Sequence, residues 1–133
     1  HEIAPAAGED FLVKTDASVF ANGVLAPRLR QRGIEWLYLA GVWSEACVFA
    51  SVKDAVEQGF HVVLVKDACG SGTATIHETA ILNMANRLYG GAVTDTAGAV
   101  RLMRGETIDA WQVQGSVPIR YTYADAAQIF RDL

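Results

Sequence analysis

This chain is short of cysteine, of cationic runs and of long apolar stretches, and each shortage narrows what it can be. Two cysteines among 133 residues, Cys47 and Cys69, cannot build a disulfide framework. A reducing cytoplasm is therefore the expected compartment. No segment is rich in Lys or Arg, and the formal net charge is -4. That balance predicts no nucleic-acid partner and no acidic membrane surface. No apolar run reaches the roughly 18 residues of a membrane span, and no secretory signal pattern occurs. Internal repeats and low-complexity linkers are also missing. The first residue is His1, and "HEIAPAAGED" carries no capping or targeting logic. The sequence is expected to begin inside a domain.

What is present is apolar. Hydrophobic residues make up 51% of the chain, enough for one domain with a sizeable core. Four runs read as strands: "FLVK" (11–14), "EWLYLAGV" (35–42), "HVVLVKDA" (61–68) and the weaker "AVTD" (92–95). The second and third are nearly continuous rather than alternating, as in strands buried on both faces of a parallel sheet. Helical spacing lies between them. In 44–58, Val48, Val52, Ala55 and Val56 share a face, and Gly59 stands where a glycine stops a helix. In 73–89, Ile76, Ala80, Met84 and Leu88 mark one face before Gly90 and Gly91. A shorter helix is expected over 26–32, with Pro27 in its first turn and Gly33 after it. Strand and helix alternate, which predicts an α/β fold: a three-layer, Rossmann-like arrangement with a parallel sheet flanked by helices. Residues 1–104 form the expected core. Residues 105–133, with Trp111, Pro118, Tyr121 and Tyr123, read as an extension packing on that core or on a neighbouring subunit.

Open parallel sheets bind ligands beyond the carboxyl ends of their strands. Cys47 falls just past the end of 35–42, in the first turn of the next helix. With Ser44 as N-cap, Cys47 takes the third helical position, where unpaired N–H groups and the positive dipole end favour a thiolate. The same N–H groups could hold an oxyanion forming on a substrate carbonyl. Gly41 would let the backbone turn sharply there. Lys14 ends the run 11–14, so in a parallel sheet it would share the crevice with Cys47. A cation beside a thiol makes the nucleophile available at neutral pH. On pattern alone, a lone cysteine in an apolar context also reads as a core filler, and a strand-terminal lysine as a solvated one.

The stretch "LAGVWSEACVFASVKDAVEQGFHVVLVKDACGS" carries Gly41-Val42, Ser44, Cys47-Val48, Gly59-Phe60, Asp67-Ala68 and Ser71 at set spacings. It resembles the isochorismatase-like cysteine hydrolases. "LVKTDASVF" is similar to that family's segment of a catalytic Lys followed by Ser-x-Phe, which places Lys14, Ser18 and Phe20. The resemblance runs from about residue 10 to 103. It implies a three-membered Asp–Lys–Cys site in which Cys47 attacks a carbonyl to give a thioester, Lys14 stabilises the thiolate, and an aspartate takes and returns the proton. It implies a small amide, ureide or carbamoyl substrate cleaved at a C–N bond, with no cofactor and no metal. It implies a cis peptide between Val42 and Trp43 that aims backbone groups at the oxyanion, with the Ala46 and Cys47 amides as donors. Phe20, Trp43 and Ser44 are expected at the substrate pocket, Ser44 also as helix cap. A homo-oligomer is expected as well.

The family's aspartate belongs to a D-x-Q-x-x-F segment on its first strand, and this sequence has none. Asp10, Asp16 and Asp67 are not on an equivalent strand, so either an amino-terminal segment of the same protein supplies the aspartate or the chain is inactive alone. Two rival readings stand beside the amide hydrolase: isochorismate-type ether hydrolysis, and a non-catalytic scaffold or binding subunit. His77 is expected to support the site rather than act as base, Asp67 to brace the loop after its strand, and Cys69 to be a small buried residue. "GSG" at 70–72 lacks the further glycine spacing of a nucleotide loop.

Overall fold

The computed structural model describes residues 4–114 and 119–133. His1 and Pro118 lie outside the described residues. Strands β1 (Trp36–Val42), β2 (His61–Gly70) and β3 (Ala92–Thr94) form one parallel sheet in the order β1-β2-β3. Helices α1 (Leu25–Gln31), α2 (Phe49–Glu57), α3 (Ala74–Ala85), α4 (Thr96–Met103) and α5 (Ala126–Asp132) accompany it. The expected α/β class, a parallel sheet flanked by helices, is what the chain adopts.

β2 is the central strand, and its four residues Val62 to Val65 are all buried. Alternation puts Val62 and Leu64 on one face. There they join Val52 and Ala55 of α2 and Ile81, Met84 and Ala85 of α3 in the main cluster. Val63 and Val65 are buried outside that cluster, on the opposite face. Coverage of both faces explains why the run is continuously apolar. The β1–β2 register slips between Leu39 and Gly41, and Gly41 has φ 127°, a value that other residues rarely adopt. The slip brings Val42 opposite Gly70 at the ends of the two strands.

Three expectations fail. Residues 11–14 are not a strand. Phe11 and Val13 are 75% and 71% exposed, and the segment joins no ladder among the described residues; a strand is stable only when a neighbour takes its hydrogen bonds. The helix 44–58 is two pieces. Ser44–Val48 form a π-helical turn in which the Val48 N–H reaches back to the Trp43 carbonyl (3.2 Å), and α2 follows. The helix 73–89 stops at Ala85, after which Arg87 and Leu88 donate to carbonyls three residues back, tightening the chain so that Leu88 enters the core. Its start is as the spacing indicates, with the Thr73 hydroxyl accepting from the Ile76 N–H.

α4 and α5 escaped the sequence reading. α4 had a signal: Asp95 as cap, its carboxylate accepting from the Gly98 N–H, and Gly105 beyond the end. The segment after Gly105 lies along this chain's own core. Trp111 bridges Val93 antiparallel. Asn86 clasps the Ile119 backbone with both ends of its amide, at 2.6 and 3.1 Å. Lys66 donates to the Phe130 and Arg131 carbonyls at the end of α5, a cation at a helix C-terminus. No helix among the described residues is long and apolar enough to cross a membrane.

Candidate active site

The end of β1 delivers the chain into the site. The Val42–Trp43 peptide bond is cis, and the π-helical turn begins immediately afterwards, with Cys47 as its fourth residue. A crevice of about 130 Å³ opens beside this turn, lined by Lys14, Val19, the 39–42 end of β1, Cys47, Val48 and Ser51. The structure thus brings Lys14, Val42 and Cys47 to one crevice, although Lys14 arrives there on a loop and not on a strand. The Lys14 ammonium donates to the Asp16 carbonyl at 2.8 Å, which folds its side chain over its own loop.

Other expected site residues go elsewhere. Phe20 is only 4% exposed and stacks on Phe60 at 5.9 Å. Burying its ring in the core removes more apolar surface from water than a place at a small open crevice would, so Val19 lines the crevice instead. Trp43 is 51% exposed and stands outside the crevice lining. Ser44 is not a helix cap, because a π-helical turn replaces the first α-turn; the residue is fully buried. Its hydroxyl donates to the Gly70 carbonyl at 2.9 Å and meets His77 Nδ1 at 2.8 Å, so it is not offered to a substrate. The Ala46 N–H donates to the Trp43 carbonyl at 3.1 Å. The π-helical turn therefore already uses a donor that was expected to face an oxyanion.

Ser51 was missed. Its hydroxyl donates to the Cys47 carbonyl at 2.7 Å and accepts from the Val19 N–H at 3.1 Å. A serine four residues after Cys47 in a helix was the available signal, since it can bond back to that carbonyl. Ser71 was read only as part of a motif. Its hydroxyl donates to the Glu45 carboxylate at 2.6 Å, and this bond holds the Glu45 carboxyl below the usual carboxylate range. Burial pushes the His77 pKa down, against the opposing charges of Glu78 and Glu45 and a hydrogen bond to the Lys66 backbone. Burial pushes the Cys69 thiol up.

The aspartates confirm no substitute for the missing acid-base group. Asp10 pairs with Arg32 at 2.6 Å. The Asp16 carboxylate accepts from the Thr15 hydroxyl. Asp67 braces the start of α4 by accepting from the Thr96 N–H and hydroxyl at 2.7 and 2.8 Å. None of the three lines the crevice.

Comparison with known proteins agrees with this architecture. Maleamate amidohydrolase of Pseudomonas putida is 36% identical over 92 residues, covering 69% of this chain and 43% of that enzyme. The crystal structure of an isochorismatase family protein from Desulfovibrio vulgaris superposes with a TM-score of 0.71 at 29% identity, over 78% of this chain and 54% of that one. A nicotinamidase from Bacillus subtilis superposes with a TM-score of 0.58 at 35% identity, over 62% and 45% of the two chains. The chain spans about half the length of the relatives it matches. With the isochorismatase domain family matching residues 1–98, this chain belongs to the isochorismatase family.

Proposed function

We propose that this chain carries the nucleophile half of a cysteine-dependent amide hydrolase acting on a small amide, ureide or carbamoyl group. The observation that carries the reading is the meeting of Cys47 and Lys14 at one crevice beyond the strand ends. The Cys47 sulfur attacks the substrate carbonyl, and the Lys14 ammonium stabilises the negative sulfur. The C–N bond breaks, the nitrogen leaves protonated as ammonia or an amine, and an acyl thioester remains. Water then attacks the thioester, releasing the acid and returning the thiol.

The reaction also needs a proton carrier for the departing nitrogen. In this reading a carboxylate from outside these 133 residues, or from a second copy in a homo-oligomer, supplies it. A vinyl-ether hydrolase would leave both Cys47 and Lys14 without a chemical task.

The test is ammonia release from a panel of small primary amides, ureides and carbamoyl compounds, with Cys47→Ala as the control. Release that vanishes in Cys47→Ala supports the reading. Release that persists in that variant overturns it. Where these 133 residues alone release nothing, as they would if the carboxylate comes from outside them, the reading is overturned if Cys47 is alkylated by iodoacetamide no faster than an unstructured cysteine peptide.

A further inference from the structure

Ser44 is the first residue after the cis bond, three positions ahead of Cys47, and it is fully buried. The Ser44 hydroxyl donates to the Gly70 carbonyl and shares a hydrogen bond with His77 Nδ1, whose donor and acceptor follow the imidazole tautomer. Gly70 ends β2 directly opposite Val42, which ends β1. His77 comes from α3, and its ring packs edge-on against Phe130 of α5 at 5.2 Å. Glu45 from the π-helical turn, Glu78 from α3 itself and Lys66 from β2 surround it. One serine therefore fastens the start of the turn to the end of the central strand, and one histidine fastens that serine to two helices.

We infer that Ser44 and His77 are a positioning pair that holds the Cys47-bearing turn against the Lys14 crevice, with His77 acting through Ser44. The inference rests on the reading of Cys47 as nucleophile. Neither side chain lines the crevice, so neither touches the reacting atoms. Their effect is geometric: the turn is only five residues long, and a shift at its first residue is passed to its fourth. A general filling role for His77 would depend on its ring volume. The positioning role depends on a hydrogen-bonding atom at the place of Nδ1, which an asparagine amide also supplies.

The experiment is iodoacetamide alkylation at pH 7, followed by peptide mass separately at Cys47 and Cys69 in the 133-residue chain, with an unstructured cysteine peptide as reference. The variants are Ser44→Ala, His77→Leu and His77→Asn, each checked for cooperative thermal unfolding. The unmodified chain should alkylate Cys47 faster than the peptide. Ser44→Ala and His77→Leu should slow Cys47 about tenfold, the scale of one lost hydrogen bond. His77→Asn should stay within about twofold of the unmodified chain on the same scale, and Cys69 should not change. If Cys47 in the unmodified chain reacts no faster than the peptide, the nucleophile reading fails and the pair fails with it. If Cys47 is fast and His77→Leu leaves it fast or faster, the pair alone is overturned. The same holds if His77→Asn slows Cys47 as much as His77→Leu does, since volume and not the hydrogen bond then decides. His77→Asn and His77→Leu keep this comparison available should Ser44→Ala fail to fold.

Discussion

The Ser51 hydroxyl donates to the Cys47 carbonyl at 2.7 Å while accepting from the Val19 N–H, which ties the loop after Lys14 to the turn that presents the thiol. Ser51 is buried, and both bonds are partly shielded from water. Ser51→Ala leaves the half-buried Val19 N–H without its partner, at a cost of about 1 kcal/mol, the net worth of an ordinary hydrogen bond. The expected outcome is a lower urea midpoint with an unchanged slope, together with weaker ammonia release. An unchanged midpoint would mean that water replaces the hydroxyl.

Removing the thiol separates chemistry from folding. Cys47 is half-buried, and Cys47→Ala removes one sulfur atom from a partly wet crevice. Stability should change by less than about 1 kcal/mol on the scale of buried-methylene losses. Ammonia release should fall to background. Lys14→Ala should lower release without loss of the cooperative transition, because Lys14 is exposed and bonds only within its own loop. Denaturation curves for both variants, beside the release assay, check this.

Stability should depend on pH through His77. Burial lowers its pKa in the folded chain below the ordinary value of 6.5, so between those two values the unfolded chain binds more protons. Stability is then complete above about pH 6.5 and declines as pH falls from there toward the folded value. Urea midpoints at steps from pH 8 to pH 5.5 measure the decline, and His77→Asn should flatten it. An equal decline in that variant would assign the effect to another group.

Asp67 should matter for α4 and not for chemistry. Its carboxylate takes the Thr96 N–H and hydroxyl at the first residue of that helix. Asp67→Ala should cost about 0.5–1.5 kcal/mol, the net worth of an ordinary hydrogen bond. Ammonia release, corrected for the folded fraction, should be unchanged. A large drop in corrected release would give Asp67 a part in the chemistry.

Asn86 anchors the extension. Its amide makes a two-point pair with the Ile119 backbone, in the manner of a strand partner. Asn86→Ala should raise hydrogen exchange across α5 first, while β2 stays protected, because α5 is held mainly by α3, Lys66 and this pair. Uniform loss of protection in both elements would show instead that the extension and the core unfold as one unit.

Much of this fold is local information. The runs 35–42 and 61–68 become β1 and β2 within one or two residues. Burial on both faces explains the continuous apolar run of β2, whereas no residue of β1 is buried. The stops at Gly33 and Gly59 are legible because each has a positive φ, 68° and 84°, that few other residues adopt; the helix expected to run up to Gly90 ends at Ala85 instead. The placement of Cys47 just after β1 follows from that same run and its end.

The tertiary structure decided which polar groups meet. Ser44 reads locally as a cap, yet its partners Gly70 and His77 lie 26 and 33 residues away. No spacing rule reaches across that distance, so burial in the fold and not helix chemistry sets its role. Phe20 reads as a pocket residue, yet Phe60 claims it for the core. Residues 11–14 read as a strand, but apolar composition supplies no ladder, and only a neighbouring backbone can. Lys14 reaches the Cys47 crevice all the same, through a loop held by Ser51. Apolar period and glycine stops act within one segment, so the sequence by itself determined where α1, β1, β2 and the start of α3 lie, and not the loop 11–14, the π-helical turn or α5. Hydrogen-bond partners lie in segments that only folding brings together, so the tertiary structure decided the site.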